Sequence, residues 1–506
     1  MKQSNTLKHT CKFNRYFINR FVCFLISSII MIQTAFAQYA EDVLRLSQFS
    51  SGIGARSQAM GNVGVGLADD YFALFSNPAG LSTQKSYELT IGISNYGYGN
   101  EVRYLGTLTD DKINATNLDN IGFVWPIPTI RGGLTFAFGF GRIARYASVA
   151  TFEGYNSNNS IVQSFYPFSY AGGVRNSYDL LNLSLEDAND LLNNNIPFQI
   201  FLADTSNDYL YTILRGDVNQ VVRVRESGGL NSWSFGGGID IAPNMSLGVT
   251  LNYITGTYSY DREFSEVDSR NVHNSTPDDL DYWTYTSTIN GDISGFNVLL
   301  GLMVRKEDRL RVGFSVRIPT YYEVSEVFTD EGRSFFDNGD SYSVLYEGRT
   351  KYNVITPYVL SGGISFRPKD WLMLAGDAEY VDWTQMRFDT DNMELLRENR
   401  NIKAWMRDTW TFRGGAELTL WKWGINLRGG FEWKPSPWKG DPSDFDQWNY
   451  TFGIGYSDEG SSINFSYAMG SFKTYRVNYY LGNVPGSKTD EKVSTTTINI
   501  TFSQKF

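Results

Sequence analysis

The sequence predicts an all-β protein, a transmembrane antiparallel β-barrel of about fourteen strands with a compact N-terminal plug in its lumen. Three observations carry that expectation. After residue 86 about a dozen stretches alternate apolar or aromatic residues with small or polar ones, the period of a strand with two unlike faces. Aromatic residues gather where those stretches begin and end, as at Trp371, Trp383, Trp410, Trp421, Trp433, Trp448 and Tyr450. No apolar run from Tyr87 onward reaches the roughly 20 residues that a membrane helix needs.

The first element is residues 1–37. Lys2, Lys8, Lys12, Arg15 and Arg20 precede an apolar stretch from Phe21 to Ile32, and Ala35-Phe36-Ala37 stands before Gln38. This is the pattern of a secretory signal peptide with an A-x-A cut. Ser27, Ser28, Gln33 and Thr34 break the apolar run, which makes a retained span the weaker reading. Gln38 is not a cysteine, so no lipid anchor at the new N-terminus is expected. Both cysteines, Cys11 and Cys23, and one of the two histidines fall in this segment, leaving His273 alone in the exported chain. Disulfides, thiolate nucleophiles and Cys-bound metals are thereby excluded. The exported chain holds 39 basic and 54 acidic residues, a balance of −15, which argues against nucleic acid as a partner.

The second element, residues 38–85, does not alternate. It contains Gly61-Asn62-Val63-Gly64-Val65-Gly66 and Ser76-Asn77-Pro78-Ala79-Gly80-Leu81. A glycine run suggests a phosphate cradle, but no strand precedes Gly61, no Gly-Lys-Ser/Thr follows, and the spacing is not that of a dinucleotide fold. A glycine-permitted plug inside the barrel is the better use of these residues, and no cofactor is expected.

The third element is the barrel, residues 86–506. Leu247, Val249, Leu251 and Tyr253 share one face against Ser246, Gly248, Thr250 and Asn252. Leu310, Val312, Phe314, Val316 and Ile318 alternate with Arg309, Arg311, Gly313, Ser315 and Arg317. A barrel turns the apolar face to lipid and the polar face to the lumen, with aromatic girdles at both interfaces. Closure removes the edges that lipid would not tolerate. Strands are expected to start near 86, 101, 131, 231, 245, 281, 308, 341, 371, 407, 424, 448, 461 and 492. Short connections at Ala242–Asn244, Lys306–Asp308 and Pro368–Asp370 suit the periplasmic side, and long ones suit the outside. The largest runs from about 150 to 230, where Leu181, Leu185, Ala188 and Leu192 recur at helical spacing.

Candidate chemistry is sparse. His273 lies in the polar stretch Asn271–Asp281, an exposed loop with no partner for acid–base work, so the chain is not expected to be an enzyme. Asp441, Asp444 and Asp446 lack the regular loop of a calcium site and read as a surface turn, so no metal is expected. Lumen arginines Arg309, Arg311, Arg317, Arg413 and Arg428 could hold a carboxylate in a bidentate fork. Asp377, Glu379, Glu417 and Glu432 compete for them in ion-pair ladders; Arg317 and Arg413 are the choices for substrate.

At three places the sequence resembles the FadL/TodX family of outer-membrane transporters for long-chain fatty acids and other hydrophobic compounds. The first is Phe49-Ser50-Ser51-Gly52-x-Gly54, Ala68-Asp69-Asp70 and the hatch motif Asn77-Pro78-Ala79. The second is Pro368-x-x-Trp371-Leu372 with Asp377, Tyr380 and Asp382-Trp383; the third is Arg428-Gly429-Gly430-Phe431 before Pro435-Ser436-Pro437. Phe506, closing a strand with Ile498, Ile500 and Phe502, looks like the C-terminal signature of such barrels. The resemblance implies a 14-stranded barrel in the outer membrane of a Gram-negative bacterium, closed by an N-terminal hatch. It implies capture of a hydrophobic, fatty acid-like molecule outside, passage through an inner pocket and release sideways into outer-membrane lipid. The N-terminus of the hatch then helps to form the inner site, here Val43, Leu44, Leu46 and Phe49.

The strand with Leu134, Phe136, Phe138 and Phe140 on one face and Gly133, Thr135, Ala137, Gly139 and Gly141 on the other is the expected gate, bending at Gly139 and Gly141. The same glycines serve equally well to make room for the hatch. Two other functions stay open at this point: a barrel scaffold partnering a secretion machine, which the 150–230 connection would suit, and a general porin, which a plug disfavours.

Overall fold

Alternation at period two becomes a closed barrel. In the computed structural model, which describes residues 39–49, 52–166, 177–181, 183–212, 214–275, 278–307, 309–482 and 484–506, fourteen antiparallel strands cross the membrane. They are β1 (Glu88–Tyr104), β2 (Thr107–Ile127), β3 (Leu134–Arg145, continued by Ser148–Asn156), β4 (Val218–Ala242), β5 (Met245–Val267) and β6 (Asp278–Lys306). Next come β7 (Leu310–Arg317 and Tyr321–Phe336), β8 (Ser341–Ile355 and Val359–Lys369), β9 (Leu372–Asp382) and β10 (Asp408–Leu420). The last are β11 (Ile425–Lys434), β12 (Gln447–Ser457), β13 (Ser461–Leu481) and β14 (Val484–Lys505). β14 pairs back on β1, from Glu88↔Lys505 to Arg103↔Asp490, so the sheet closes on itself. The expected signal peptide and Asp308 lie outside the described residues.

Most strands begin where expected; β2, β4 and β14 do not, and β4 shows why. Near the periplasm its apolar residues point out, with Trp233, Phe235 and Ile239 about half exposed and Ser232 and Ser234 buried. Toward the outside the pattern reverses, with Val218, Val222 and Val224 buried and Arg223 and Arg225 exposed. The first half meets lipid and the second meets water, so the apolar residues change face. The reversal hides the outer half of the strand from a search for lipid-facing alternation and moves its start from 231 to Val218. The largest connection shrinks to 157–217 for the same reason.

The outer half of the lumen is filled by one apolar cluster. Helix α1 (Tyr39–Ser47) contributes Ala40, Val43, Leu44 and Leu46, the 157–217 connection contributes Ile161, Val162 and Ile200, and the wall contributes Phe152, Phe264, Trp283 and Val354. A buried Glu266 carboxylate ties the connection down, accepting from Ser160 Oγ (2.5 Å), Ile161 N (3.0 Å), Gln220 Nε2 (2.7 Å) and Trp283 Nε1 (2.8 Å). The hatch continues as α2 (Ala55–Ala59), α3 (Ala73–Ser76) and a 3-10 turn (Pro78–Thr83).

Within the 157–217 connection the expected helix is α4 (Leu185–Asn193), capped by the Ser184 hydroxyl on Asp187 N. Leu181 precedes it and Leu185 is exposed; Leu192 packs as expected, with Leu191 beside it, on Tyr166, Ala203 and Leu210. A short α5 (Ile196–Gln199) follows. The helix α6 (Met393–Trp405), between β9 and β10, was not expected: only its Ile402 is buried, too little to set an apolar period.

Candidate functional site

The hatch is held by polar bonds to the wall. The Asp377 carboxylate of β9 accepts three consecutive hatch amides, Gly64 N (2.6 Å), Val65 N (2.8 Å) and Gly66 N (3.3 Å). This is an anion in a backbone nest, and it explains the glycine run better than a phosphate would. Asn77 donates to Val65 O (2.9 Å) and to Leu302 O of β6 (3.1 Å), and its Oδ1 accepts from Ala79 N (3.3 Å). Pro78 stands at the start of the turn, where no N–H is required. Arg56 pairs with Asp69 (2.6 Å), Asp70 (3.2 Å) and Glu417 of β10 (3.0 Å).

Between α1 and the hatch lies a cavity with about 140 Å³ of open space. Ile254, Leu299, Val359, Val381 and Trp383 form an apolar wall, with Phe49, Ile53, Phe72 and Phe75 facing it. Ser232, Asn252, Asn297, Ser315 and Ser361 line another part, where Asn252 Nδ2 donates to Asn297 Oδ1 (2.8 Å) and Asn297 Nδ2 to Thr320 Oγ1 (2.8 Å). The third part is charged: Arg317, Glu379, Arg413 and Lys434.

The arginines sort by partner. Arg413 donates to Glu432 (2.8 Å) and to both oxygens of Glu379 (3.2 Å each). Arg428 binds Glu417 (2.7 Å) and Asn464 (2.8 Å), Arg311 binds Leu67 O (3.0 Å) and Asp69 (3.2 Å), and Arg309 sits on the surface beside Asp370 (3.7 Å). Arg317 makes no ion pair among the described residues; its guanidinium lies over the Phe49 ring, 4.5 Å from the centroid. Lys434, which the sequence did not single out, likewise has no carboxylate within 4.0 Å among the described residues and lines the same cavity. Of the four N-terminal candidates Phe49 alone lines the central cavity: Val43 and Leu44 face the outer apolar cluster, and Leu46 borders a small void beside Tyr258 and Glu326.

The structure places Gly139 and Gly141 against the hatch. A Cβ at Gly139 would sit 1.6 Å from the Tyr71 hydroxyl, and one at Gly141 2.7 Å from Ile53 Cδ1. Tyr71 donates to Ile121 O (3.0 Å) and Phe140 O (3.4 Å), so the hatch stitches β2 to β3 where glycine leaves room. β3 bends further on, with a register shift between Arg142 and Ala144 and an interruption at Tyr146 and Ala147. His273 contacts Gly216 O (3.0 Å) in a loop. Asp446, which is buried, accepts from Trp433 and Ser436, Asp441 from Ser436 and Asp444 from Lys473, so each of the three carboxylates is taken by a partner of its own.

An apolar belt around a closed fourteen-stranded barrel and a hatch inside it define a Gram-negative outer-membrane barrel with a plugged lumen. No family model matches the chain, and no curated protein does. Among solved structures the fold is similar to that of a Pseudomonas aeruginosa FadL homologue, over 91% of this chain and 100% of that one, with a TM-score of 0.57 at 11% identity. It is also similar to the P. putida toluene transporter TodX, over 90% of this chain and 99% of that one, with a TM-score of 0.52 at 13% identity. At such identities the likeness is one of fold.

Proposed function

We propose that the chain is a passive outer-membrane conduit for hydrophobic compounds, fatty acid-like molecules among them, which rest in the central cavity and leave sideways into the membrane. The observation that carries this reading is the cavity's two-sided lining: an apolar wall beside Arg317 and Lys434, cations with no carboxylate within 4.0 Å among the described residues. An acyl tail suits the first and an anionic head the second, with Arg413 held ready by its glutamates. Each buried methylene is worth about 0.8 kcal/mol, so a tail of about fifteen resists entering water by ~12 kcal/mol. A sideways exit keeps the tail in apolar surroundings and needs no energy source. The names of the FadL homologue and of the toluene transporter agree with this reading.

Native mass spectrometry with lipid extraction on the purified barrel tests it, comparing the intact chain with a deletion of residues 39–48. A defined apolar ligand lost on deletion supports the conduit. A barrel that carries no ligand but copurifies with large protein partners supports the scaffold reading instead, which the solidly packed outer half of the lumen favours.

A further inference from the structure

The β2–β3 ladder is incomplete. It runs from Ile127↔Leu134 to Asn120↔Gly141 and stops, although β2 continues to Thr107. Beyond that point the outer half of β3 is laddered to β4 alone. Side chains bridge it to β1 and β2 instead, as Asn100 Nδ2 to Val149 O (3.1 Å) and Thr109 Oγ1 to Thr151 O (2.5 Å). This seam begins near the top of the lipid-facing belt, one residue past exposed Ile121 on β2 and three past exposed Phe138 on β3.

Both strands carry a bulge at this level. In β2, Gly92 pairs with Asn120 and Ile93 with Leu118, so Asp119 is the extra residue and is fully buried. In β3, Arg142 pairs with Asn231 and Ala144 with Leu230, so Ile143 is the extra residue, and it lines the central cavity. A bulge re-aims a side chain and ends pairing. Here it turns Asp119 toward Arg145, whose Nη2 donates to Asp119 Oδ1 (2.5 Å) and to Ser94 Oγ of β1 (3.1 Å). The other Asp119 oxygen accepts from hatch Gly54 N (3.0 Å). Gly54 can present that N–H because its φ is +81°, and a Cβ there would overlap the Phe72 ring at 2.1 Å. The junction is imperfectly satisfied, since Arg145 Nε and Asn120 Oδ1 are buried without partners among the described residues.

We propose that the Arg145–Asp119 pair is a latch on this seam, and that hatch Gly54 sets it. Gly52 and Ile53 line the cavity next to Gly54, as the bulged Ile143 does two residues before Arg145. An occupant of the cavity therefore bears on both sides of the latch. The proposal rests on the sideways exit described above.

The test places Ser94→Cys, buried behind Arg145, in the full chain with Cys11 and Cys23 replaced by Ser, in isolated outer membranes. Pyrene maleimide dissolved in the lipid and a 5-kDa PEG maleimide in the water, sized to be too large for the seam at roughly atomic spacing, are the probes. Arg145→Ala is expected to speed pyrene labelling at least tenfold and leave PEG labelling unchanged, with Arg145→Lys restoring the slow rate. Gly54→Ala is expected to act as Arg145→Ala does; a wild-type rate there would remove the hatch from the latch. Heat-modifiable migration of each variant confirms a folded barrel, and Asp119→Asn, which keeps the shape, serves if Arg145→Ala fails to fold. Unchanged pyrene labelling in a folded variant overturns the latch and leaves the conduit reading standing. Faster labelling with unaltered oleate uptake sustains the latch and counts against the conduit.

Discussion

The two parts of the N-terminal region are held in opposite ways. From Gly52 to Gln84 the hatch is bonded to the wall through Asp377, Asn77, Arg56 and Tyr71. Helix α1 keeps its side-chain hydrogen bonds to itself among the described residues, Arg45 to Asp42 and Ser47 to Val43, and meets the barrel through apolar packing and the Tyr258 ring under Arg45. Hydrogen bonds fix one geometry and are costly to leave unmade; apolar packing is non-directional. The hatch body is thus the fixed floor of the cavity, and α1 is the part that can yield to an occupant.

The largest expected effect comes from Asp377→Ala, which orphans the buried amides of Val65 and Gly66 and the half-buried one of Gly64, at about 1–3 kcal/mol for each buried amide. Hydrogen exchange at Gly64, Val65 and Gly66 should quicken accordingly, whereas deleting α1 should leave those amides as protected as before. If the deletion exposes them, the contrast between floor and ceiling is gone. Next is Arg56→Leu, which among the described residues leaves Asp70 without an ion pair and Asp69 and Glu417 with one each, at about 3–5 kcal/mol. Burial alone would raise the Asp69 carboxyl, but Arg56 and then Arg311 outweigh it and hold it below the ordinary range. Its contribution is therefore complete at neutral pH and is lost as pH falls below about 4 through the depressed value. Without Arg56 the burial effect is less opposed, so hatch resistance to proteolysis should gain more from pH 7 to pH 5 in the variant than in the wild type. The smallest effect on the floor is Leu46→Ala. A truncation of this kind typically costs 2–5 kcal/mol, but here the loss should appear only in α1 exchange.

The belt was legible because lipid enforces strict alternation, as at Leu247, Val249, Leu251 and Tyr253, which are all exposed opposite buried Ser246 and Thr250. The hatch motif was legible as a motif, but its reason was not, since Asn77 and Asp377 are brought together only by closure of the barrel. Arg413 was chosen for its charge, and only the fold shows Glu379 and Glu432 on either side of it. Lys434 and Asp119 left no trace in the sequence. One ends a strand between Trp433 and Pro435, and the other becomes significant through a one-residue bulge that no local pattern announces.

The change of face along β4 and β5 also acts as a waterline. Arg223 and Arg225 stand across from Glu263 and Asp261 on the outer surface, above Trp233 and Tyr253. Sinking the barrel far enough to wet these arginines with hydrocarbon would cost roughly 2–4 kcal/mol apiece at the midplane, and raising it would strand Phe235 and Leu251 in water. The molecule therefore floats at one depth, and the seam between β2 and β3 is moored at the level of the lipid headgroups.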